Sequence, residues 1–216
     1  DCVTSLGACN VPVDEWELDV VASGSQKGYM IPPGLSFISM SQKAWEAAEK
    51  SNLPKFYLNL KSYKKSLLSN SNPYTPAVNL VFALDEALKM MREEGLDKIF
   101  LRHNKHKLAM SNAAKALNLK LFANEKYLSP SITAIETIDI DAEEFRKIIK
   151  NKFDILLAGG QDHLKGRIFR VGHLGYVNDR DIITVISAIS NTLLNLGKIS
   201  AAQAGEALVV ASKYLD

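Results

Sequence analysis

Val20-Val21-Ala22-Ser23-Gly24-Ser25-Gln26-Lys27-Gly28, followed by Ile31-Pro32-Pro33-Gly34, is the stretch on which the reading of this chain turns. The apolar run over residues 18–22 predicts a buried strand, bounded by small polar residues and glycine. It delivers one lysine into a segment of Ser and Gly, away from any helix face where solvation is easy. Ligands of open α/β sheets sit beyond the ends of such strands. A part-buried amine there is a nucleophile towards a carbonyl. The plain alternative is a loop lysine in water, and spacing alone leaves both readings standing.

The bulk properties bound the remaining choices. At 216 residues the chain is long enough to bury a core in one or two domains. With 26 basic and 24 acidic side chains the formal charge is only +2, so no strong field favours nucleic acid or a membrane surface. No apolar run approaches the roughly 20 residues of a membrane span. The chain opens Asp1-Cys2-Val3-Thr4, with neither Met nor a basic leader, and the expected setting is cytoplasmic. Cys2 and Cys9 are too few for a disulfide framework or a zinc site, and no metal is expected.

Along the chain, residues 35–40 predict a second strand. Ser41 is placed to cap a helix over residues 42–50, with Trp45 and Ala48 on one side. Residues 55–68 carry Phe56, Leu60, Tyr63 and Leu67 at helical spacing opposite four lysines, which predicts an amphipathic helix with a solvated basic face. Thr75-Pro76 predicts the start of a helix reaching Glu94, with Thr75 as its cap and Gly95 as its stop. A boundary near Gly95 divides the chain into 1–95 and 96–216. In the second part, residues 97–117 predict a helix whose apolar side is Ile99, Leu101, Leu108, Ala113 and Leu117. Arg102, His103, Lys105 and His106 then read as a solvated basic face, with a metal pair at His103 and His106 as the weaker alternative. Strands are expected over 119–122, 131–138 (alternating through Ile132, Ala134 and Thr137) and 155–158. Helices are expected after Asp141, over 179–196, and from Ser200 to about residue 214. Strands interleaved with helices give an α/β class, the second part being a small α+β domain.

Gly166-Arg167-Ile168-Phe169-Arg170-Val171-Gly172-His173-Leu174-Gly175 is the second stretch with chemical content. Period two puts Arg170 and Ile168 on one strand face, with Phe169 and Val171 on the other. A guanidinium there offers a planar fork that matches a carboxylate in two hydrogen bonds. An arginine lying flat over the sheet, or paired internally, is the other reading. His173 reads as a structural histidine.

Ser23-Gly24-Ser25-Gln26-Lys27 with Pro32-Pro33-Gly34 resembles the Schiff-base segment of class V aminotransferases, nearest to their alanine/serine–glyoxylate branch. The resemblance runs through nearly the whole chain. It implies the C-terminal part of a pyridoxal-phosphate-dependent transferase of fold type I: the end of the large α/β domain, then the small C-terminal domain. Lys27 falls on the lysine that holds pyridoxal 5'-phosphate covalently and then moves the substrate proton. Asp1-Cys2-Val3-Thr4-Ser5-Leu6-Gly7 resembles the family's strand end, so Asp1 falls on the acid that keeps the cofactor's ring nitrogen protonated. An ordinary flexible terminal aspartate is the alternative. By the same resemblance Val3 packs on the ring, Gln26 contacts the phosphate, and Ser23 and Ser25 are weaker contacts. Arg170 binds the substrate α-carboxylate.

Thr75 has two competing uses, a cap for its own helix and a phosphate contact in the neighbouring subunit of a homodimer. Where the human-type pattern has an aromatic three positions before Thr75, this chain has Asn72, and Tyr74 is the nearest ring. The implied partners are small amino-acid and oxo-acid substrates. The competing functions are a cysteine desulfurase or another class V lyase, and a non-catalytic interaction module of the hydrogenase-associated kind.

Overall fold

Two short strands frame the lysine segment. In the computed structural model, which describes residues 1–137 and 139–215, β1 (Val20–Gly24) pairs antiparallel with β2 (Ser36–Met40). The strand expected at 18–22 is therefore shifted by two residues, and it is buried on one face only. Val21 and Ser23 point inward, whereas Val20 and Ala22 are exposed. The period-two alternation of a two-stranded hairpin explains this, where an apolar run had suggested a strand covered on both sides.

Ser41 behaves as its position predicts. Its hydroxyl oxygen accepts from Ala44 N at 3.1 Å and caps α1 (Gln42–Lys50), while the hydroxyl donates to Asp19 at 2.7 Å. The helix expected over 55–68 is shorter: α2 (Leu60–Leu67) starts after Asn59, whose side chain accepts from Lys61 N. It has no buried residue, and Phe56 and Leu67 are 80% and 72% exposed. A capping residue one turn into the periodic stretch set the helix start, and periodicity alone does not reveal it.

Helix α3 (Val78–Glu94) also begins later than expected. Val81 N bonds to the Ala77 carbonyl, so Ala77 holds the cap position and Thr75 lies ahead of it. Val78 N donates to the Pro76 carbonyl at 3.0 Å, a tight turn that sets the helix start two residues beyond the Thr75 cap position. Gly95, at φ 86, does end α3, and α4 (Leu96–Ala116) follows at once.

Gly34 holds φ 144, and a Cβ there would lie 2.5 Å from Leu80 Cδ1, so α3 meets Pro32-Pro33-Gly34 where only glycine fits. Gly34→Ala is expected to cost about 1–3 kcal/mol, from backbone strain plus the clash. A lowered melting temperature checks this, and an unchanged one contradicts it.

The chain divides into two units: residues 1–3 with 11–93, and residues 4–10 with 94–216. The second unit holds a four-stranded antiparallel sheet in the order β3-β4-β6-β5. Its strands are β3 (Lys120–Leu121), β4 (Ile132–Glu136), β5 (Ala158–Gly159) and β6 (Ile168–Gly172). β4 buries Thr133 and Ile135, the face opposite to the one the sequence suggested; Ile138, included in that expected strand, lies outside the described residues. β6 buries Ile168, Phe169 and Val171, so it is covered on both sides. Helix α5 (Ala142–Phe153) is capped by Asp141 and packs on β5 and β6, with the Phe145 and Phe169 rings 5.1 Å apart. Helices α4, α6 (Asp179–Asn195) and α7 (Ala201–Ser212) pack on one another. Capping boxes start the last two, Asn178 with Asp181 and Ser200 with Gln203. Among the described residues no helix is long and apolar enough to cross a membrane.

Candidate active site

Ser25 builds the lysine loop. Its backbone N–H donates to the Leu35 carbonyl at 3.1 Å, and its carbonyl accepts from Ile31 N at 3.3 Å. Its hydroxyl donates to the Pro32 carbonyl at 2.8 Å and accepts from Leu35 N at 3.1 Å. One fully buried serine thus pins both ends of the loop, and Met30 at φ 63 bonds back to the Lys27 carbonyl to close the turn within it.

Lys27 sits on this fixed loop, half-buried, between exposed Gln26 and buried Gly28. Among the described residues its amine makes no hydrogen bond and no ion pair. Lys43, Lys61, Lys89, Lys115 and Lys120, by contrast, each meet a carboxylate. A half-withdrawn amine with no acid beside it is suited to capture an aldehyde, so the residues present fit a Schiff-base cofactor.

Asp1 and Val3 lie beside the same hairpin. Cys2 N donates to the Ala22 carbonyl at 2.9 Å, and the Ser23 hydroxyl donates to the Cys2 carbonyl at 3.3 Å. The segment carrying Asp1 is thereby tied to the strand that leads to Lys27. The exposed Asp1 carboxylate accepts from Val3 N at 2.8 Å, leaving its other oxygen for a ligand. Ser23 and Ser25, offered by the sequence as phosphate contacts, are instead buried and committed to backbone partners. Gln26 and Thr75 are exposed, and among the described residues the Thr75 hydroxyl has no hydrogen-bond partner. Tyr74 is occupied: its hydroxyl donates to the Phe56 carbonyl at 3.2 Å, and its ring contacts Phe56, Tyr57 and Tyr63.

In the second unit, Arg170 projects from β6, half-buried, and its Nε–H donates to the Gly159 carbonyl at 2.8 Å. Among the described residues its two Nη groups have no partner.

The loop after β6 is held by residues that the sequence placed on a solvated face. Arg102 makes a bidentate pair with Glu94 at 2.7 and 2.9 Å and donates to the Gly175 and Val177 carbonyls at 2.8 and 3.0 Å. His103 and His106 are fully buried, which corrects the solvated-face reading, and Leu101 is the exposed residue instead. His103 Nδ1–H donates to the Ile99 carbonyl at 2.7 Å, so its Nε2 accepts from Gly175 N at 3.0 Å. His106 Nε2 meets Asp179 at 2.8 Å. His173 is also buried: Nδ1–H donates to the Pro130 carbonyl at 3.0 Å, and Nε2 accepts from the Thr133 hydroxyl at 2.9 Å.

Burial pushes all three imidazoles below the usual 6.5, His173 to about 4. The Asp179 carboxylate opposes the shift at His106, and the backbone carbonyls of Ile99 and Pro130 oppose it at His103 and His173. Among the described residues no group of three or more His, Cys, Asp and Glu side chains is placed to hold a metal.

A lysine on a rigid Ser/Gly loop, with an acid tied to the same strand, is the arrangement that a comparison with known proteins can name. Residues 1–176 match the model of the family described as aminotransferase class-V. The chain belongs to the class-V aminotransferase family.

Members of this family depend on pyridoxal phosphate. Among curated relatives, a Synechococcus protein named "Soluble hydrogenase, small subunit" is 58% identical over 91% of this chain and 51% of its own length. The serine–glyoxylate aminotransferase of Methylorubrum extorquens is 34% identical over 100% of this chain and 55% of its own. Among solved structures, ureidoglycine–glyoxylate aminotransferase from Bacillus subtilis superposes with a TM-score of 0.90 at 29% identity, over 99% of this chain and 57% of that one. The chain thus spans about half the length of the relatives it matches. The expected fold class, the C-terminal part of a fold type I transferase, is borne out by this likeness.

Proposed function

We infer that the protein is a pyridoxal-phosphate-dependent aminotransferase that moves the amino group of a small amino acid, alanine or serine, to glyoxylate. The observation that carries this is Lys27: half-buried and unpaired among the described residues, on the Ser25-pinned loop of a class-V chain. Bound pyridoxal phosphate supplies an aldehyde for an amine and a ring that accepts electron density. In this reading Lys27 holds the cofactor at its Nζ, then takes the donor's α-proton and returns it. Asp1 keeps the ring nitrogen protonated, and Val3 packs against the ring. Gln26 and Thr75 contact the phosphate, Thr75 from the neighbouring subunit of a homodimer. Arg170 receives the donor's carboxylate. Residues 1–95 belong to the cofactor-binding domain and 96–216 to the small domain, in a cytoplasmic enzyme.

Two rivals remain in view. A cysteine desulfurase needs a thiol on a mobile loop, whereas Cys2 is buried and bonded to β1. The hydrogenase name of the 58% relative favours an interaction module as the other reading. The test uses the full-length protein with pyridoxal phosphate, assayed separately with L-alanine or L-serine plus glyoxylate and with L-cysteine. Glycine formation is the expected result. Sulfide release without glycine, or no turnover with any donor, contradicts it.

Within this reading Arg170→Gln removes two charge-assisted hydrogen bonds worth about 2–3 kcal/mol together. The KM for the amino donor is then expected to rise about 30–100-fold with kcat little changed. Steady-state kinetics checks this, and an unchanged KM contradicts it.

A further inference from the structure

Arg170 has a support that the transamination reading leaves unused. Its Nε–H is committed to the Gly159 carbonyl at 2.8 Å, which takes one edge of the guanidinium. A carboxylate can meet arginine side-on, through Nε and one Nη, or end-on, through both Nη groups. With Nε occupied, only the end-on approach remains.

The strand that supplies the carbonyl is a weak platform by itself. β5 is Ala158–Gly159, at the edge of the sheet, and among the described residues it pairs only with β6. It is held from behind by α5. Arg146 Nε–H donates to the Leu157 carbonyl at 2.8 Å, and Arg146 Nη1–H donates to Glu143 at 2.7 Å. This pair lies directly over Gly159: a Cβ there would be 2.5 Å from Glu143 Oε1 and 2.6 Å from Arg146 Nη1. The missing side chain at 159 is the space in which the pair sits.

We propose that Arg146, seated with Glu143 over Gly159, is a positioning residue for Arg170, fixing the edge strand whose carbonyl turns the guanidinium so that both Nη groups meet a substrate α-carboxylate end-on. The proposal rests on the reading of Arg170 as the carboxylate-binding residue. The chain of contacts runs from Glu143 to Arg146, through β5, to Arg170. Each link is a hydrogen bond or a close packing contact inside the second unit. A lysine at 170 has no fork to divide between a carbonyl and a carboxylate, so it cannot substitute.

The test uses the full-length protein loaded with pyridoxal phosphate, with L-alanine and glyoxylate as probes. Arg146→Met is expected to raise the KM for L-alanine about tenfold at nearly constant kcat, the scale on which losing an outer supporting contact is felt. Arg146→Lys, which keeps one donor, restores part of the loss. Gly159→Ala displaces the ends of Glu143 and Arg146 and reproduces the defect by a second route, which also serves if Arg146→Met proves too unstable to assay. In the Arg170→Gln background Arg146→Met adds nothing, because it acts only through Arg170. Independently of turnover, the Arg170 Nε–H is expected to exchange with solvent faster in Arg146→Met than in the parent, by nitrogen-15 NMR.

An unchanged KM in both Arg146→Met and Gly159→Ala overturns the positioning role, as does a full multiplicative effect of Arg146→Met on top of Arg170→Gln. If Arg170→Gln itself leaves the KM unchanged, the carboxylate role of Arg170 fails and this proposal with it. A strong Arg170 effect beside a silent Arg146 defeats the positioning alone.

Discussion

Replacing Lys27 with alanine is expected to lower transamination by about 10⁴-fold, the upper end of what a positioned acid–base group contributes, and to abolish covalent cofactor attachment. The size of the effect follows from one amine serving two purposes, as the anchor and as the carrier of the substrate proton. Its neighbours on the loop, Gln26 and Gly28, offer no amine to replace it. The fold is not at risk, because the loop is held by the Ser25 hydroxyl and backbone, with no side-chain bond from Lys27. An unchanged melting temperature beside the lost activity is therefore part of the expectation. Turnover by Lys27→Ala within about tenfold of the parent would contradict the assignment.

The second large effect is on stability in acid. His103, His106 and His173 are buried and held below the ordinary histidine value of 6.5, His173 at about 4. Between those values the unfolded chain binds protons that the folded chain refuses. Stability therefore rises with pH across this window and is lost as pH falls from 6.5 towards 4. A depression from 6.5 to about 4 at His173 alone corresponds to roughly 3 kcal/mol, with His103 and His106 acting in the same direction. The buried imidazoles have no room to charge. His103 must accept from Gly175 N, and protonation turns that acceptor into a donor facing a donor; at His173 a charge would be fully buried among neutral partners. Urea midpoints measured between pH 7 and pH 4 are expected to fall steeply below about 6.5. His173→Gln is expected to be less stable at neutral pH yet to show a shallower slope. A flat profile for the parent over this range would contradict the assignment.

These histidines also show where sequence reading stops. Charge and spacing put Arg102, His103 and His106 on a wet face of α4. The groups that bury and satisfy them, Gly175, Val177 and Asp179, lie more than seventy positions along the chain. No local pattern announces a partner at that separation. The approach of Arg146 from α5 to Gly159 likewise emerges only with the packing.

Local grammar, by contrast, was legible. Ser41, Asp141 and Ser200 cap the helices they precede, because a side-chain oxygen beside unpaired N–H groups acts over a few residues. Gly95 ends α3 for an equally local reason, its positive φ. Thr75 failed as a cap because a tight turn at Pro76 to Val78 starts the helix two residues later, and Phe56 failed as a helix residue because Asn59 starts the helix after it. The family resemblance singled out Lys27 and Asp1. The Ser25 clasp that holds the Lys27 loop needed coordinates.

The most direct test of the central claim is to reduce the full-length protein, incubated with pyridoxal phosphate, using borohydride and then to map the modified peptide by mass spectrometry. The account predicts one stable cofactor adduct, carried by the peptide that contains Lys27. An adduct confined to any other lysine, or no adduct while bound cofactor is visible by absorbance, would contradict it.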